Sequence, residues 1–408
     1  MDFFKNKEQV KISGQLFGED AVDMLARAHE DALWMLENIG VHCTNPVMVD
    51  IFSQFEADGK AIVHENRIYI TDELVKECLA KVPGMDNFFV PRNSFFVGGR
   101  AAYVHDDAQG KGGIIPTPHH MERIAKISQE NDIVAGMGPG IMMADEVNQM
   151  EIMDRYCSKP IFFSVSSDRA VERAKQLHKS RGNIMISFCL TRHPLQVNEN
   201  IADHFINIVR ANVPVFMAAL PMAGISGPYC YNGILSSAHA ESLFGICAAQ
   251  LLNPGCTCVH GGLPSIADPR FDYSPNYGLK SHFVLNLLMA HLNMMLDLPT
   301  IQSAGTTNEE HMTQKALEDV FISNALCKKY GFHMIRHSFG FLRGMIDFSF
   351  EKFEKAIEIT QKVTAADAPE ITIPAYDERG LEAIQRSALG MYRDDPLTTA
   401  NIGRIFVE

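Results

Sequence analysis

No stretch of the 408-residue sequence reaches the roughly 20 consecutive apolar residues that a membrane helix needs. The window from Phe283 to Leu298 is interrupted by Asn286, His291, Asn293 and Asp297, and the one from Leu243 to Leu252 is too short. The opening residues MDFFKNKEQV have no apolar run behind their charges, so no secretory signal and no membrane are expected. Basic residues are outnumbered: 36 Lys and Arg stand against 49 Asp and Glu, a net charge of −13. That excess repels phosphate backbones and argues against nucleic acid as a partner, while leaving room for a neutral or cationic substrate. Cysteine is present nine times, an odd number without repeating spacing, as expected of reduced thiols in the cytoplasm. Familiar catalytic motifs are missing too. Gly136, Gly138 and Gly140 have the wrong spacing for a dinucleotide fingerprint, and there is no GxSxG, Walker loop or HExxH. Asp154-Arg155 forms no motif, and His119-His120 reads as a helix entry. Hydrolase triads and phosphoryl transfer find no support.

What is present is a 46% hydrophobic, 21% charged composition, ample for a large core. Residues 1–110 read as a helical region with a short hairpin. Val22, Leu25, Ala28, Ala32, Leu36 and Ile39 recur at helical spacing up to Gly40. A second helix starts after Thr71 as N-cap and ends before Pro83. Between them, Ala61–Val63 and Arg67–Ile70 read as paired strands.

From about Gly112 to residue 361 the pattern alternates. Short apolar runs occur at Ile133–Met137, Ile161–Val165, Ile184–Leu190, Val213–Leu220, Cys256–His260, Thr300–Ser303 and Phe332–Ile335. Each precedes small or polar residues and then a helical segment, clearest at Ile234–Leu252, Leu279–Leu296 and Glu309–Lys328. Seven such repeats, with an eighth strand placed near Gly113–Pro116, predict an α/β fold: a (β/α)8 TIM barrel with an N-terminal helical extension. Residues 362–408 read as a linker, a helix at Leu381–Leu389 and a short C-terminal tail. No internal repeat or low-complexity tract is present.

Barrel chemistry sits at the C-terminal ends of the strands. Here those ends are dominated by small residues: Gly138 and Gly140, Ser164 to Ser167, Cys189 to His193, Pro221 to Gly224, His260 to Gly262, Gln302 to Thr307 and His337 to Gly340. They are either ordinary loop chemistry or an open mouth for a large flat group. Cys256, Cys258 and His260 are zinc ligands by type, and alternation puts them on one face. Successive same-face residues stand about 6.5–7 Å apart, so one strand cannot deliver three ligands to one ion. No tightly bound metal is expected. Tyr229, Tyr231, Phe271, Tyr273, Tyr277, Phe339 and Phe341 fall near these loops, with Glu241, Asp268 and Asp272 close in sequence. They are either packing aromatics or a cation site, since a quaternary ammonium has no N–H and binds through ring faces and long-range charge.

The sequence resembles the trimethylamine:corrinoid methyltransferase (MttB-like) superfamily. The resemblance runs through Ala32–Val41, Asn66–Ile70, Leu79–Pro83 and Asp347–Lys352, and is strongest over Leu220–Pro228, Gly233–Glu241 and Leu252–Gly255. It implies a (β/α)8 barrel that passes a methyl group from a methylamine to the cob(I)alamin of a separate corrinoid protein, so that the cofactor carries the difficult step. No pyrrolysine occurs, and the stretch Gly305–Lys315 is ordinary. The chain is thus similar to the non-pyrrolysine members, which implies a quaternary amine such as glycine betaine. Family members continue with a His/Trp-containing segment that Thr364–Glu408 does not match. The expected substrate-facing residues are Glu241, His260, Gln302, His337, Phe339 and Tyr229. Gly138, Gly140, Gly261 and Gly262 are expected near the corrin, and a homo-oligomer is expected in solution. A non-catalytic paralogue that binds a betaine or a corrinoid protein, and a metal-assisted barrel enzyme using Cys258 or His260, are the alternatives.

Overall fold

All seven apolar runs form strands, and their brevity suits strands buried on both faces. The computed structural model describes residues 3–387 and 389–403. Its central sheet comprises β1 (Ser94–Val97), β2 (Val134–Met137), β3 (Ile161–Phe163), β4 (Ile184–Phe188), β5 (Val215–Met217), β6 (Cys258–His260), β7 (Ile301–Ser303) and β8 (Met334–Arg336). Neighbours in sequence are neighbours in space, all parallel, and β8 returns to β1. Closure between β6 and β7 is a parallel bridge, His260 to Thr300, with the His260 N–H donating to Pro299 O at 2.8 Å.

The eighth strand is therefore Ser94–Val97 and not the stretch near Gly113–Pro116. The latter belongs to a hairpin, Tyr103–Asp106 with Lys111–Ile114, between β1 and its helix. Placing β1 first means the barrel starts inside residues 1–110. Only three apolar residues, Phe95 to Val97, stand before Gly98 and Gly99, which makes β1 a weak signal within the region 1–110.

The crossover helices are α1 (Pro118–Glu130), α2 (Glu146–Tyr156), α3 (Asp168–Arg181), α4 (Glu199–Arg210), α5 (Tyr231–Leu252), α6 (Lys280–Met295), α7 (Gln314–Tyr330) and α8 (Phe350–Lys362). Asp145, Ser167, Thr313 and Ser349 cap α2, α3, α7 and α8 by accepting first-turn N–H groups. Because Thr313 is that cap, α7 begins at Gln314 and not at Glu309.

The barrel interior is filled by Phe96, Phe162, Met185, Phe216, Val259, Ile301 and Met334, and Val90 closes its lower end. Alternation then sends the neighbouring residues outward against the helices. Helix α5 is buried on every side from Asn232 to Gln250, because the N-terminal helix Glu19–Asn38 covers the side that the barrel does not. An all-round apolar helix requires such a second layer. Thr71 caps the N-terminal helix Asp72–Lys81 as the sequence predicts, and Ala61–His64 pairs with Arg67–Ile70. At the other end, the expected helix is found as Arg379–Ser387; residues 388 and 404–408 of the expected tail lie outside the described residues. The tail clasps the loop after β5: the Tyr392 N–H donates to Ile225 O, and Asn401 Nδ2 donates to Tyr229 O.

Candidate active site

The mouth of the barrel is a cavity of about 350 Å³. Its wall follows strand alternation. Phe162 points inward on β3, so Ser164 does too; Met185 sets the parity for Ser187 and Cys189 beyond β4; Phe216 sets it for Ala218 and Leu220; Met334 sets it for Arg336 on β8. Arg100, Pro139, Tyr277, His337 and Met345 complete the rim from the loops.

Arg336 dominates the electrostatics. It is 6% exposed, and its guanidinium lies 4.7 Å from the centre of the Phe216 ring. Nη2 donates to Gly261 O at 3.3 Å, while the buried Nε has no partner. Among the described residues no carboxylate pairs with it, and none lines the cavity. Burial lowers its pKa to about 10, which leaves it charged at neutral pH. A buried, under-bonded cation facing a cavity is an anion receptor by construction.

His337 lies beside it in a left-handed backbone conformation, φ +63°. Its Nδ1 shares a 2.8 Å hydrogen bond with Ser303 Oγ. Burial, with Arg336 and His282 nearby, holds its pKa well below the usual histidine range, so the ring is neutral. Tyr277 is pushed up by burial and stays a phenol. Cys189, the one solvent-accessible cysteine among the described residues, is likewise pushed up and stays a thiol. The cavity therefore offers positive charge, hydroxyls and aromatic faces, but no acid poised to give up a proton.

Of the six residues expected to face substrate, the structure places only His337 in this wall. His260 follows the inward Val259 and so points outward, fully buried against His239 on α5. Gln302 follows Ile301 and also faces outward, near Thr300. Glu241 sits on α5, 3% exposed, and is consumed by structure. It accepts from Thr191 Oγ1 at 2.9 Å and Leu195 N at 3.0 Å, and it meets His193 Nδ1. The Leu220 N–H donates to His193 Nε2, which puts the ring proton on Nδ1, toward Glu241. Phe339 packs on Phe353 in the outer core, and Tyr229 donates to Ala267 O under the C-terminal clasp.

The four glycines divide similarly. Gly138 and Gly261 face inward, but aromatic rings occupy the space they leave: a Cβ would stand 2.5 Å from Phe162 Cζ and 1.7 Å from Phe216 Cε2, respectively. Gly140 faces Phe348 and Ile124, and Gly262 faces His260. Cys258 does share a face with His260, and that face is the outer one. Its Sγ lies 3.7 Å from Cys256 Sγ and accepts from Gln250. Among the described residues no group of three His, Cys, Asp or Glu side chains is placed to hold a metal ion. Cys189 belongs to a strand end that the sequence singles out, whereas Arg336, Phe162 and Ser187 do not emerge unless a parity is assigned to the strands. A charged residue directly after the run Phe332–Ile335 was the available signal.

Comparison with known proteins decides the lineage. The family model described as trimethylamine methyltransferase (MTTB) matches residues 168–391, more than half of the chain and five of its eight strands. The chain belongs to this family. Within the MTTB family, it is 22% identical over 357 residues to the glycine betaine methyltransferase of Desulfitobacterium hafniense (strain Y51), covering 81% of this chain and 73% of that one. It is 23% identical over 298 residues to the L-carnitine:corrinoid methyltransferase of Eubacterium limosum, covering 64% and 58%. Among solved structures, Xanthomonas albilineans dihydropteroate synthase in complex with 7,8-dihydropteroate aligns with 72% of this chain and 99% of its own, at 14% identity and a TM-score of 0.40. Membership of the MTTB family makes the protein a methyltransferase. No helix among the described residues is long and apolar enough to cross a membrane.

Proposed function

We propose that this enzyme moves a methyl group from a quaternary amine that also carries a carboxylate, a betaine, to the cob(I)alamin of a separate corrinoid protein. The observation that carries the reading is Arg336: a buried guanidinium without a carboxylate, at the base of a cavity the size of a small zwitterion. Seating the substrate carboxylate there restores the missing hydrogen bonds and balances the charge. The substrate's ammonium end then points up the barrel, past the face of Phe162 and the rim Tyr277, where ring faces can hold it without hydrogen bonds. This orientation presents the methyl groups at the mouth. The names of the betaine- and carnitine-using relatives agree with a substrate that has both ends.

At 350 Å³ the cavity suits such a substrate and leaves a corrin outside, over the opening. Exposed apolar side chains stand in the loops around that opening: Met142 after β2, Leu220 after β5, Phe271 after β6 and Ile346 after β8. They form a rim on which a flat macrocycle and its carrier protein can rest. Cob(I)alamin supplies the nucleophile that accepts the methyl group. A quaternary nitrogen leaves as a neutral amine and takes up no proton, so the absence of an acid among the cavity-lining groups suits this donor. The protein contributes orientation and electrostatics.

The test is optical. The protein, its corrinoid partner and chemically reduced cob(I)alamin are mixed with glycine betaine, other betaines, carnitine, choline or trimethylamine. Loss of the Co(I) absorbance with appearance of the demethylated amine is expected for a carboxylate-bearing donor. Choline and trimethylamine, which have no carboxylate, are expected to be silent. Equal turnover of choline, or silence across the panel with the cofactor still reduced, overturns the reading.

A further inference from the structure

Outside the barrel wall, three imidazoles form a chain through successive layers of the fold. His260 Nε2 on β6 lies 2.9 Å from His239 Nδ1 on α5, and His239 Nε2 lies 2.8 Å from His29 Nδ1 on the N-terminal helix Glu19–Asn38. The inner end sets the direction of donation. The Gly262 backbone N–H, which can only donate, points at His260 Nδ1 from 3.3 Å, and Asn293 Nδ2 donates to the same nitrogen from 2.9 Å. The other Asn293 amide proton goes to Thr300 Oγ1, whose hydroxyl donates to His260 O. His260 Nδ1 is therefore an acceptor, and its proton sits on Nε2. Each ring donates to the next, and the last proton of the series is the Nε2–H of His29. Burial holds all three rings neutral, with His29 and His260 lowered to about 3. Aligned donors polarise one another, so this terminal N–H is a stronger donor than an isolated imidazole.

His29 lines a cavity of about 580 Å³, larger than the barrel mouth and separated from it by α5 and the barrel wall. The cavity's apolar walls are Phe3, Leu33, Val75, Leu79 and Leu296. Lys5, an exposed residue, enters from one side and donates to Leu79 O, with the Asp297 carboxylate near enough to act on its charge. Of the remaining charged groups at the cavity, Lys76 is paired with Asp72 at 2.7 Å, and Glu30 completes the rim. A buried neutral donor and an ammonium thus converge on a space with largely apolar walls, whose lining also includes the Asp72–Lys76 pair and Glu30.

We propose that this cavity is a second binding site, for a small organic acid whose carboxylate takes the His29 N–H and the Lys5 ammonium and whose aliphatic or aromatic body lies against Leu33, Val75 and Leu79. The site is independent of the methyl-transfer reading, since it shares no residue with the barrel mouth.

The test titrates octanoate and benzoate into the full-length protein by calorimetry, with and without saturating glycine betaine. One acid molecule is expected per chain, undisplaced by the betaine. Lys5→Met and His29→Phe are each expected to weaken binding by roughly tenfold or more, the effect of losing one charge-assisted or buried hydrogen bond. Lys5 lies near the surface, so its variant reports on the ligand even if His29→Phe folds poorly. Failure of both acids to bind at millimolar concentration overturns the proposal. Binding that survives Lys5→Met unchanged does so too, as does binding that is lost in Arg336→Met, which would locate the acid in the barrel mouth.

Discussion

A buried guanidinium without a carboxylate raises the free energy of the folded chain, because the desolvation of its charge is not offset. Arg336 has only the Gly261 carbonyl and the face of Phe216 to offset that cost. A residue that lowers stability in the free protein and is placed in a cavity wall is explained by its ligand. The two roles separate in the Arg336→Met variant. If the arginine served packing, its loss would destabilise the fold; as a carboxylate anchor, its loss leaves the melting temperature unchanged or higher. The KM for a betaine is expected to rise by about two orders of magnitude, the usual consequence of removing one partner of a buried charge pair. Thermal melts and steady-state kinetics on the same preparation check both halves.

On helix α5, Glu241 is the fastener toward the loop between β4 and α4. Its carboxylate takes the Thr191 hydroxyl and the Leu195 N–H and meets His193, with almost no solvent contact. Glu241→Ala strands those donors, and a loss of about 3 kcal/mol in unfolding free energy is expected, with substrate KM unchanged. Lys352 plays a comparable part on α8, donating to Gly305 O and Phe341 O beneath the loops after β7 and β8. Lys352→Met is expected to cost about 2 kcal/mol by denaturant titration, since two buried carbonyls lose their donor. The elements themselves were legible. Short apolar runs, Thr71 as a cap and the Arg67–Ile70 strand are local signals, and local signals survive folding. Side-chain direction was not legible. His260 and Gln302 lie at strand ends where barrel chemistry belongs, yet a shift of one residue sends a side chain to the outer face, and nothing in the run Cys256–His260 tells inside from outside when helices cover the outside. Strand β1 was hidden for another reason: the hairpin between it and α1 lengthens the first repeat beyond the spacing of the others.

At the scale of the whole molecule, buried neutral histidines tie stability to pH. His29, His239, His260 and His282 lie in the layer between barrel and helices, and His291 and His333 sit toward the lower end, all enclosed from water. Burial lowers each: His29, His260 and His282 to about 3, His291 and His333 to about 4, and His239 further in the same direction. Unfolded, each titrates near 6.5. Between these values the unfolded chain binds more protons than the folded one, so stability falls as pH falls from about 6.5 toward 3 and is fully present above 6.5. Asp31 works in the opposite direction: burial raises it to about 6, so the folded state binds its proton first and offsets part of one histidine. His337 at the mouth adds to these six, and Asp319, raised by burial as Asp31 is, adds to the opposing side, which still leaves a strong net acid sensitivity. At pH 5 each histidine contributes a loss of about 2 kcal/mol, so the protein is expected to unfold well above the pH at which its carboxylates titrate. Urea unfolding followed from pH 7.5 to pH 5 measures the slope. The His291→Gln variant, which removes one titrating ring far from the mouth, is expected to flatten that slope by about 1.4 kcal/mol per pH unit while leaving methyl transfer at pH 7.5 intact. A slope unchanged by the substitution would mean that His291 is not buried neutral, and that acid sensitivity arises elsewhere in the chain.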